Sequence, residues 1–502
     1  MDTKSAITYS AVPKSVSYKD ALRSSGDFIR DSRKVTLIPS SSGAFGPGSQ
    51  TECLIDIDDG GAGAFLHPDS CYITCDIKTV TAVGGDTGVA SASFNSSAND
   101  VLDRVVVKGK RSRVMLADCR DYGVWSAMRD RLRYPQAYNG DAPWSRGFPK
   151  KVQSVYSESI AAGTNLATPH NVNFGIGSRA PALVAELGAG TRRFKLEMSY
   201  CPFFANDKIV PLSSSGGLQL QLTFARVNDA FVGHIATNGV LPGTTLDYRV
   251  TNLRFHCMIS YMSERFMQAY NSQILAGGVA IPYDSYISLS HIPQSTNETV
   301  RLSSNLEHLK SVFVVHRLTA DINKINKCSL GHFGNPLLEE IQLVSGGVTQ
   351  PTTPLVVTTS SGTNITGQAV EELMMAASSM DHHLVGKDFP LDQDSMEITL
   401  TNSDAGKTTI AQELGPKITE VANWNGCSII SLKTDSSSPY ASIFNRSNST
   451  NQSPQRKSDI NATLKYEGTF NQATATANFF LYHGNVLHVR PNGMMVPEQL
   501  SF

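Results

Sequence analysis

Val101-Leu-Asp-Arg-Val-Val-Val107, a turn at Gly109, and then Asp118-Cys-Arg-Asp-Tyr-Gly-Val-Trp-Ser-Ala-Met-Arg-Asp-Arg-Leu132 read as a strand, a turn and a solitary amphipathic helix. The surrounding sequence reads almost entirely as strands. The same order returns in the second half: strand Leu337-Leu-Glu-Glu-Ile-Gln-Leu-Val344, turn Gly346-Gly347, helix Val370-Glu-Glu-Leu-Met-Met-Ala-Ala377. A unit repeated inside a strand-rich chain implies two like β-domains in tandem. The length of 502 residues agrees, since it exceeds what one hydrophobic core usually serves.

Outward from these units, alternation of period two marks strands with one buried and one polar face. Phe194, Leu196, Met198 and Tyr200 alternate with Lys195, Glu197 and Ser199, and Leu218, Leu220, Leu222 and Phe224 with Gln219, Gln221 and Thr223. These two are read as antiparallel neighbours. The first half adds strands at Val35 to Ile38, Cys53 to Ile57, Ile73 to Ile77 and Tyr248 to Tyr261. In the last, the apolar phase switches between Val250 and Leu253, which calls for a β-bulge near Asn252. The second half adds Tyr286 to Ser290, Leu309 to Val315, Ile341 to Val344, Met396 to Leu400, Ser428 to Leu432, Ile460 to Tyr466 and Ala477 to Val489. About eight strands per half, irregularly spaced, favour sandwiches of the jelly-roll kind.

A helix from Ser263 to Gly277 divides the halves. Ser263 is its cap, Phe266, Met267, Tyr270 and Ile274 its apolar stripe, and Gly277 its stop. The expected organisation is an N-terminal arm over 1–32, a first jelly roll over 33–262, the linking helix over 263–277 and a second jelly roll over 278–502. Polar stretches at Thr81 to Asp100, Ser345 to Thr366 and Thr434 to Ser458 are read as surface loops, which would form a crown if they project from one end.

Charged residues are only 17% of the chain and the formal net charge is −1, which argues against holding nucleic acid by phosphate neutralisation. Residues 1 to 34 carry seven Lys or Arg against four Asp, too mild an excess for a nucleic-acid arm. Without a secretory apolar stretch or a run of about 20 apolar residues, the chain reads as soluble and made in the cytosol. The eight cysteines (Cys53, Cys71, Cys75, Cys119, Cys201, Cys257, Cys328, Cys427) read as reduced core thiols. Cys71 and Cys75 face the same way on one strand but have no second pair to complete a zinc site.

No constellation of residues carries catalytic, cofactor or metal chemistry. Gly406-Lys407-Thr408 ends like a phosphate loop, but Thr401 stands where its first Gly belongs. Asp56 and Asp58 before Gly60-Gly61 resemble half a calcium loop, with His67 where the bidentate Glu should be, so an acidic turn is the better reading. Adjacent His382 and His383 point apart on an extended segment. His256 and His316 read as satisfied wall residues on strands. The Asn-x-Ser/Thr triplets at Asn95, Asn297, Asn364, Asn445, Asn448, Asn451 and Asn461 follow from Ser- and Asn-rich loops. Arg104, Lys108, Lys110, Arg111 and Arg113 form a basic cluster, either a solvated strand and turn or an inter-subunit or inward-facing electrostatic patch.

The succession of four stretches resembles the double jelly-roll major capsid proteins of double-stranded DNA viruses, especially those of virophages and polinton-like viruses. They are Val101 to Leu132 with Tyr122 and Trp125; Pro211-Leu212 with Gly216-Gly217 to Phe224; Tyr248 to Phe255 through the linking helix to Ile281-Pro-Tyr-Asp-Ser-Tyr286; and Leu309 to His316 with Ile341 to Gly347. The resemblance implies an all-β chain of two eight-stranded antiparallel jelly rolls with a few short helices. It implies a homotrimeric, pseudo-hexagonal capsomer that tiles an icosahedral shell, and so a place in the virion with synthesis in the host cytoplasm. Its partners would be neighbouring capsomers, penton and minor capsid proteins, with an inner membrane or genome met through the N-terminal arm. Neither enzyme activity, cofactor nor small-molecule substrate is implied. A carbohydrate-binding or spike-type β-protein, using loop aromatics such as Tyr440 or Phe444, is the alternative; a jelly-roll glycosidase would need paired carboxylates across a cleft.

Overall fold

The structure is a computed structural model. It describes residues 29–41, 43–61, 63–81, 92–133, 153–154, 171–172, 192–206, 208–233, 246–303, 309–319, 322, 330, 333, 338–345, 348–358, 366–377, 429–434, 460–467, 475–490 and 495–497. In chain order the first strands are β1 (Ile29–Leu37), β2 (Glu52–Ile57), β3 (Ala64–Thr81), β4 (Ala92–Phe94), β5 (Leu102–Gly109), β6 (Met115–Cys119), β7 (Gln153–Ser154), β8 (Asn171–Val172), β9 (Arg192–Glu197), β10 (Val210–Pro211), β11 (Leu218–Phe224), β12 (Phe231–Gly233) and β13 (Leu246–Met262). Helix α1 (Tyr122–Arg133) follows β6, and helix α2 (Glu264–Gly277) follows β13. Beyond α2 come β14 (Val279–His291), β15 (Asn297–Ser303), β16 (Leu309–Leu318), β17 (Leu338–Ser345), β18 (Val348–Val356), helix α3 (Gly367–Ala377), β19 (Ile429–Lys433), β20 (Ile460–Tyr466), β21 (Ala475–Val489) and β22 (Met495–Pro497).

Among the described residues, strands before α2 pair only with one another, and so do strands after it. The second set forms sheets β14-β21-β16-β19 and β15-β20-β17-β18. Counted from β14 as first of eight, this is the order 1-8-3-6 facing 2-7-4-5, the jelly roll. The first set repeats it as β1-β13-β3-β10 and β2-β11-β5-β6, with β9 also on β3 in the sixth position. All these pairings are antiparallel. The all-β double jelly roll expected from the sequence is therefore the fold observed.

The sandwiches follow from alternation. Strand β11 alternates buried and half-buried residues throughout, with Leu218, Leu220 and Leu222 inward, and β20 does the same with Ile460, Ala462 and Leu464. Inward residues of β11 and β5 face Ile73, Cys75, Ile77, Phe255 and Cys257 of the opposite sheet in one core. The long strand β13 keeps its apolar face through the bulge that the sequence demanded. Its pairing with β3 shifts between Thr251 and Arg254, Asn252 takes φ 48°, and the Asn252 Nδ2 donates to Asp76 Oδ2 at 2.6 Å. Tyr248, Val250, Leu253 and Phe255 are consequently all buried.

Several readings need correction. The repeated unit lacks one element: in each lobe a strand, β6 or β18, lies between the turn and the helix. The polar stretch read as a loop from Ser345 to Thr366 thus contains β18, where Thr and Pro at Val348–Val356 masked a half-exposed edge strand. The strand beginning near Phe194 stops at Glu197, because Met198–Tyr200 and Pro202–Ala205 turn into 3-10 segments. It is not a neighbour of β11 either; β9 lies on β3 in one sheet, and β11 lies between β2 and β5 in the other. In α2, Ser263 Oγ accepts from Phe266 N as expected, but the helix continues through Gly277 and the residue that ends it is Gly278 at φ 89°. The strand read at Met396 to Leu400 lies outside the described residues.

Candidate assembly surface

Strand β21 is buried without a break from Ala475 to His483, where an ordinary outer sheet would alternate with water. One phase, Ala477, Phe479 and Leu481, enters the second lobe's own core with Val312, Val314, Ile430 and Leu432. The other phase, Phe480 and Tyr482, points out of the sandwich and joins Phe313, Val315, Tyr283 and Tyr286 in a cluster continuous with the first lobe's core. The outward face of the β14-β21-β16-β19 sheet is therefore an interface with the first lobe.

Helix α1 fills that interface. Its Trp125 ring stacks on Tyr286 (centroids 4.4 Å apart, planes 29°) and lies 5.3 Å from Phe480, 6.2 Å from Phe313 and 6.2 Å from Tyr482. The indole Nε1 donates to Tyr200 O at 2.7 Å, so the ring is oriented from its own lobe while its face is given to the other. Around it, Tyr283 Oη donates to Leu116 O at 2.7 Å, Tyr286 Oη to Arg120 O at 2.9 Å, and Asn206 Nδ2 to Pro282 O at 2.8 Å. Leu330 N donates to Asn95 Oδ1 at 3.0 Å, beside the close passage of Gly123. Every residue of α1 from Tyr122 to Asp130 is buried. The helix was expected to show one wet face. Its polar side is absorbed instead: Arg129 donates to Ser199 O at 2.9 Å and lies over the Trp125 and Tyr200 rings, while Tyr200 Oη donates to Asp130.

The first lobe's corresponding face is of another kind. On β1, Ser32, Lys34 and Thr36 point out and are exposed. Across β13 and β3 the same face carries His256, stacked on Tyr72 at 4.7 Å and bonded to Thr36 Oγ1 at 3.1 Å and Thr74 Oγ1 at 2.8 Å. Lys195 of β9 lies over Tyr72, and Arg193 pairs with Asp76 at 2.9 Å. The second lobe's helix differs in step. Helix α3 packs on β19 through Leu373, Ala376 and Ala377, but Met374 and Met375 remain 40% and 38% exposed beside the exposed Glu371. One lobe-to-lobe contact is filled within the chain; the matching face is exposed along β1 but buried at Ser260 and Asp76, and the matching helix keeps Met374 partly exposed.

Charge at the seam is handled locally. Burial pushes the Arg317 guanidinium pKa down, and Asp121 and Asp229 of the first lobe pull it back up; Arg317 Nε also donates to Asn478 Oδ1 at 3.0 Å. Two cations of the basic cluster, Arg104 and Lys110, are answered by acids of their own lobe. Arg104 makes a two-pronged bond with Asp118 at 2.5 and 2.8 Å, Lys110 reaches Asp58 at 2.6 Å and Asp56 at 3.5 Å, and Lys108 donates to Gln221 at 2.8 Å. Burial alone would raise the Asp118 pKa, but the Arg104 hydrogen bond and charge, with Arg120, hold it below the usual carboxylate range. Asp56 and Asp58 are thereby partners of Lys110, as an acidic turn requires.

His316 is fully buried, with its Nε2 3.2 Å from Tyr466 Oη. Cys53, Cys71, Cys75, Cys119, Cys201 and Cys257 are free and buried. Asn95 is buried as well, bonded to Leu330 N and Asp229 O. Gly406 to Thr408, His382, His383, Tyr440, Phe444, Cys328, Cys427 and the N-terminal arm through residue 28 lie outside the described residues. The decisive residues of the seam, Tyr283, Phe313, Phe480 and Tyr482, were not singled out in the sequence; the signal for them was the run of apolar residues on both phases of β16 and β21.

No protein-family model and no curated protein matches the chain. Solved structures do. The Faustovirus major capsid protein superposes with a TM-score of 0.52 at 8% identity, over 93% of this chain and 92% of that one. A chain in the structure of the Sputnik virophage superposes with a TM-score of 0.51 at 9% identity, over 94% and 89%. The mavirus major capsid protein gives 0.43 at 9% identity, over 93% and 90%. At such identities the first two superpositions show the fold alone, two jelly rolls in one chain.

Proposed function

We propose that the chain is a viral capsid protein that works by self-assembly, three copies forming a pseudo-hexagonal capsomer that tiles an icosahedral shell. One observation carries this reading. The two lobes meet through α1 of the first on the outward sheet of the second, and in the corresponding places Met374 of α3 is 40% exposed and Ser32, Lys34 and Thr36 of the first lobe's outward sheet are exposed. A head-to-tail contact that repeats between chains closes into a ring or runs on as a filament. With two like lobes per chain, three chains give a ring of six lobes joined by alternating internal and external seams.

Charge gives the pairing of the two faces modest support. Lys34 and Arg254 stand on the first lobe's face beside Arg193 and Lys195, which already pair with Asp76 and Glu197, and Glu371 stands on α3. The reading is structural rather than enzymatic. The partners would be further capsomers and vertex or minor shell proteins, the location would be the virion, and residues 1–32, 33–262, 263–277 and 278–502 would serve as arm, first lobe, link and second lobe, the last residues of the arm, from Ile29, already joining β1.

Sedimentation and mass photometry of the purified 54.2 kDa chain test it. The expected result is a species three times the chain mass that persists on dilution, with shells in negative stain at high concentration. A stable monomer at all concentrations, without shells, would overturn the reading.

A further inference from the structure

Cys119 ends strand β6, and Cys201 sits in the turn between the 3-10 segments Met198–Tyr200 and Pro202–Ala205. Their Sγ atoms are 3.3 Å apart, with neither side chain open to solvent, although the two residues are 82 positions apart in sequence. The turn is held rigidly from both sides: Cys201 N donates to Met198 O at 3.0 Å and Phe204 N to Cys201 O at 2.9 Å. A disulfide places its sulfurs about 2.05 Å apart, so bonding needs an approach of roughly 1.3 Å. Side-chain rotation and small backbone shifts in the two segments supply movement on that scale.

We infer that Cys119 and Cys201 are a latent disulfide, a modification site that a small hydroperoxide-type oxidant converts into a covalent tie beneath the lobe seam. The position gives the tie its consequence. Strand β14 of the second lobe rests on both segments at once. On the Cys119 side Tyr283 and Tyr286 donate to Leu116 O and Arg120 O; on the Cys201 side Asn206 donates to Pro282 O and the Phe203 ring meets Tyr283 at 5.6 Å. Joining the two sulfurs makes one covalently closed platform of what is otherwise a packed one, and the loop it closes contains α1.

The chemistry is self-contained. One sulfur, as thiolate, attacks a peroxide oxygen; the O–O bond breaks, leaving a sulfenic acid and, after protonation, water. The second sulfur gives up its proton and attacks the sulfenic sulfur; the S–S bond forms, the S–O bond breaks, and the oxygen leaves as a second water. Two thiols and one hydrogen peroxide give one disulfide and two waters, with two electrons passing from sulfur to oxygen. Burial shapes the rate. It keeps Cys119 protonated by pushing its pKa up, so the first step is slow at neutral pH and accelerates as pH rises. It also keeps out large disulfide reagents, and the neighbouring thiol, already 3.3 Å away, outcompetes a second peroxide for the sulfenic acid.

The test treats the full-length chain with hydrogen peroxide under native conditions at pH 7 and 8.5, alkylates it during denaturation, and reads the digest by mass spectrometry. The expected result is a peptide pair joined through Cys119 and Cys201, formed faster at pH 8.5, with an unfolding midpoint that rises and returns on reduction. Cys71→Ala, at another buried thiol of the lobe, keeps both the joined peptides and the rise; Cys201→Ala loses both. Recovery of Cys119 and Cys201 as alkylated thiols, or as unlinked sulfinic or sulfonic acids, in protein that is still folded would overturn the proposal. The wild-type digest decides the matter even where a variant fails to fold. The inference does not depend on the assembly reading, since a monomer would give the same joined peptides.

Discussion

Trp125 of the first lobe and Tyr286 of the second stack face to face at 4.4 Å, and each polar tip is bonded to a backbone carbonyl of the first lobe, Tyr200 O and Arg120 O respectively. The pair couples the lobes through packing and fixes their rotation through hydrogen bonds. Trp125→Ala should cost about 3–5 kcal/mol, the range for emptying a fully buried aromatic site. Chemical denaturation would check it: a single cooperative transition in the wild type should split or broaden in the variant as the lobes unfold separately. Trp125→Phe, which keeps packing but loses the indole donor, should cost clearly less.

Gly217 opens strand β11 at φ 92°, and a Cβ there would lie 2.4 Å from Ile57 O. Gly217→Ala meets both a left-handed backbone and a backbone collision that no side chain can relieve. Destabilisation of about 1–3 kcal/mol or more follows, seen as a lower denaturation midpoint. Gly61→Ala, also at positive φ but with open space around it, should cost less.

Acid should loosen the second lobe first. Burial holds His316 neutral, with its pKa lowered to about 3, and His483 likewise to about 4. An unfolded imidazole binds its proton near pH 6.5, so the folded form is favoured fully above that value and loses the advantage as pH falls from there toward 4 and 3. The contribution is on the order of 5 kcal/mol for His316 and about 3 kcal/mol for His483. Asp103 and Asp229, whose pKa values burial raises, act in the opposite direction over part of this range, so the useful quantity is a difference. Stability measured at pH 7 and pH 5 should fall less in His316→Asn than in the wild type; equal falls would refute the assignment.

Met374→Glu with Glu371→Lys, both at exposed positions, should leave the chain folded, because α3 holds its lobe through Leu373, Ala376 and Ala377. The expected loss is of association: sedimentation should move from trimer toward monomer with an unchanged far-ultraviolet spectrum. Lys34→Glu with Lys195→Glu on the opposite face should act in the same way. A trimer that survives both pairs would assign the contact elsewhere while leaving trimerisation itself intact.

Much of the fold was legible because most strands have one dry side. Leu218 to Phe224 and Ile460 to Tyr466 announce themselves by alternation, and the phase switch around Asn252 exposed a bulge. Less legible were elements with little apolar signal of their own or with partners far away in sequence. Strand β18 was hidden because an edge strand rich in Thr and Pro carries little apolar signal. Helix α1 gave the opposite error: Arg129 and Asp130 look like solvent residues in sequence, and only the ring of Tyr200 and the carbonyl of Ser199, about 70 positions on, make their burial tolerable. The basic cluster around Lys110 reads in sequence as either a solvated strand and turn or an electrostatic patch, because the acids that answer Arg104 and Lys110, 14 to 54 positions away, come beside them only through pairing of β2, β11, β5 and β6.

In both jelly rolls the strand that sits between first and third in its sheet is the eighth to be made, β13 in one and β21 in the other. A ribosome therefore delivers each sheet with its middle missing, and seven strands must wait for the eighth before the sheet can close. Such distant pairing is slow. For β21 the wait is useful, because its Phe480 and Tyr482 need a finished first lobe to cover them, and the order of synthesis provides one. The chain's direction is in that sense a timetable, with the doubly buried strand scheduled after the surface that will receive it.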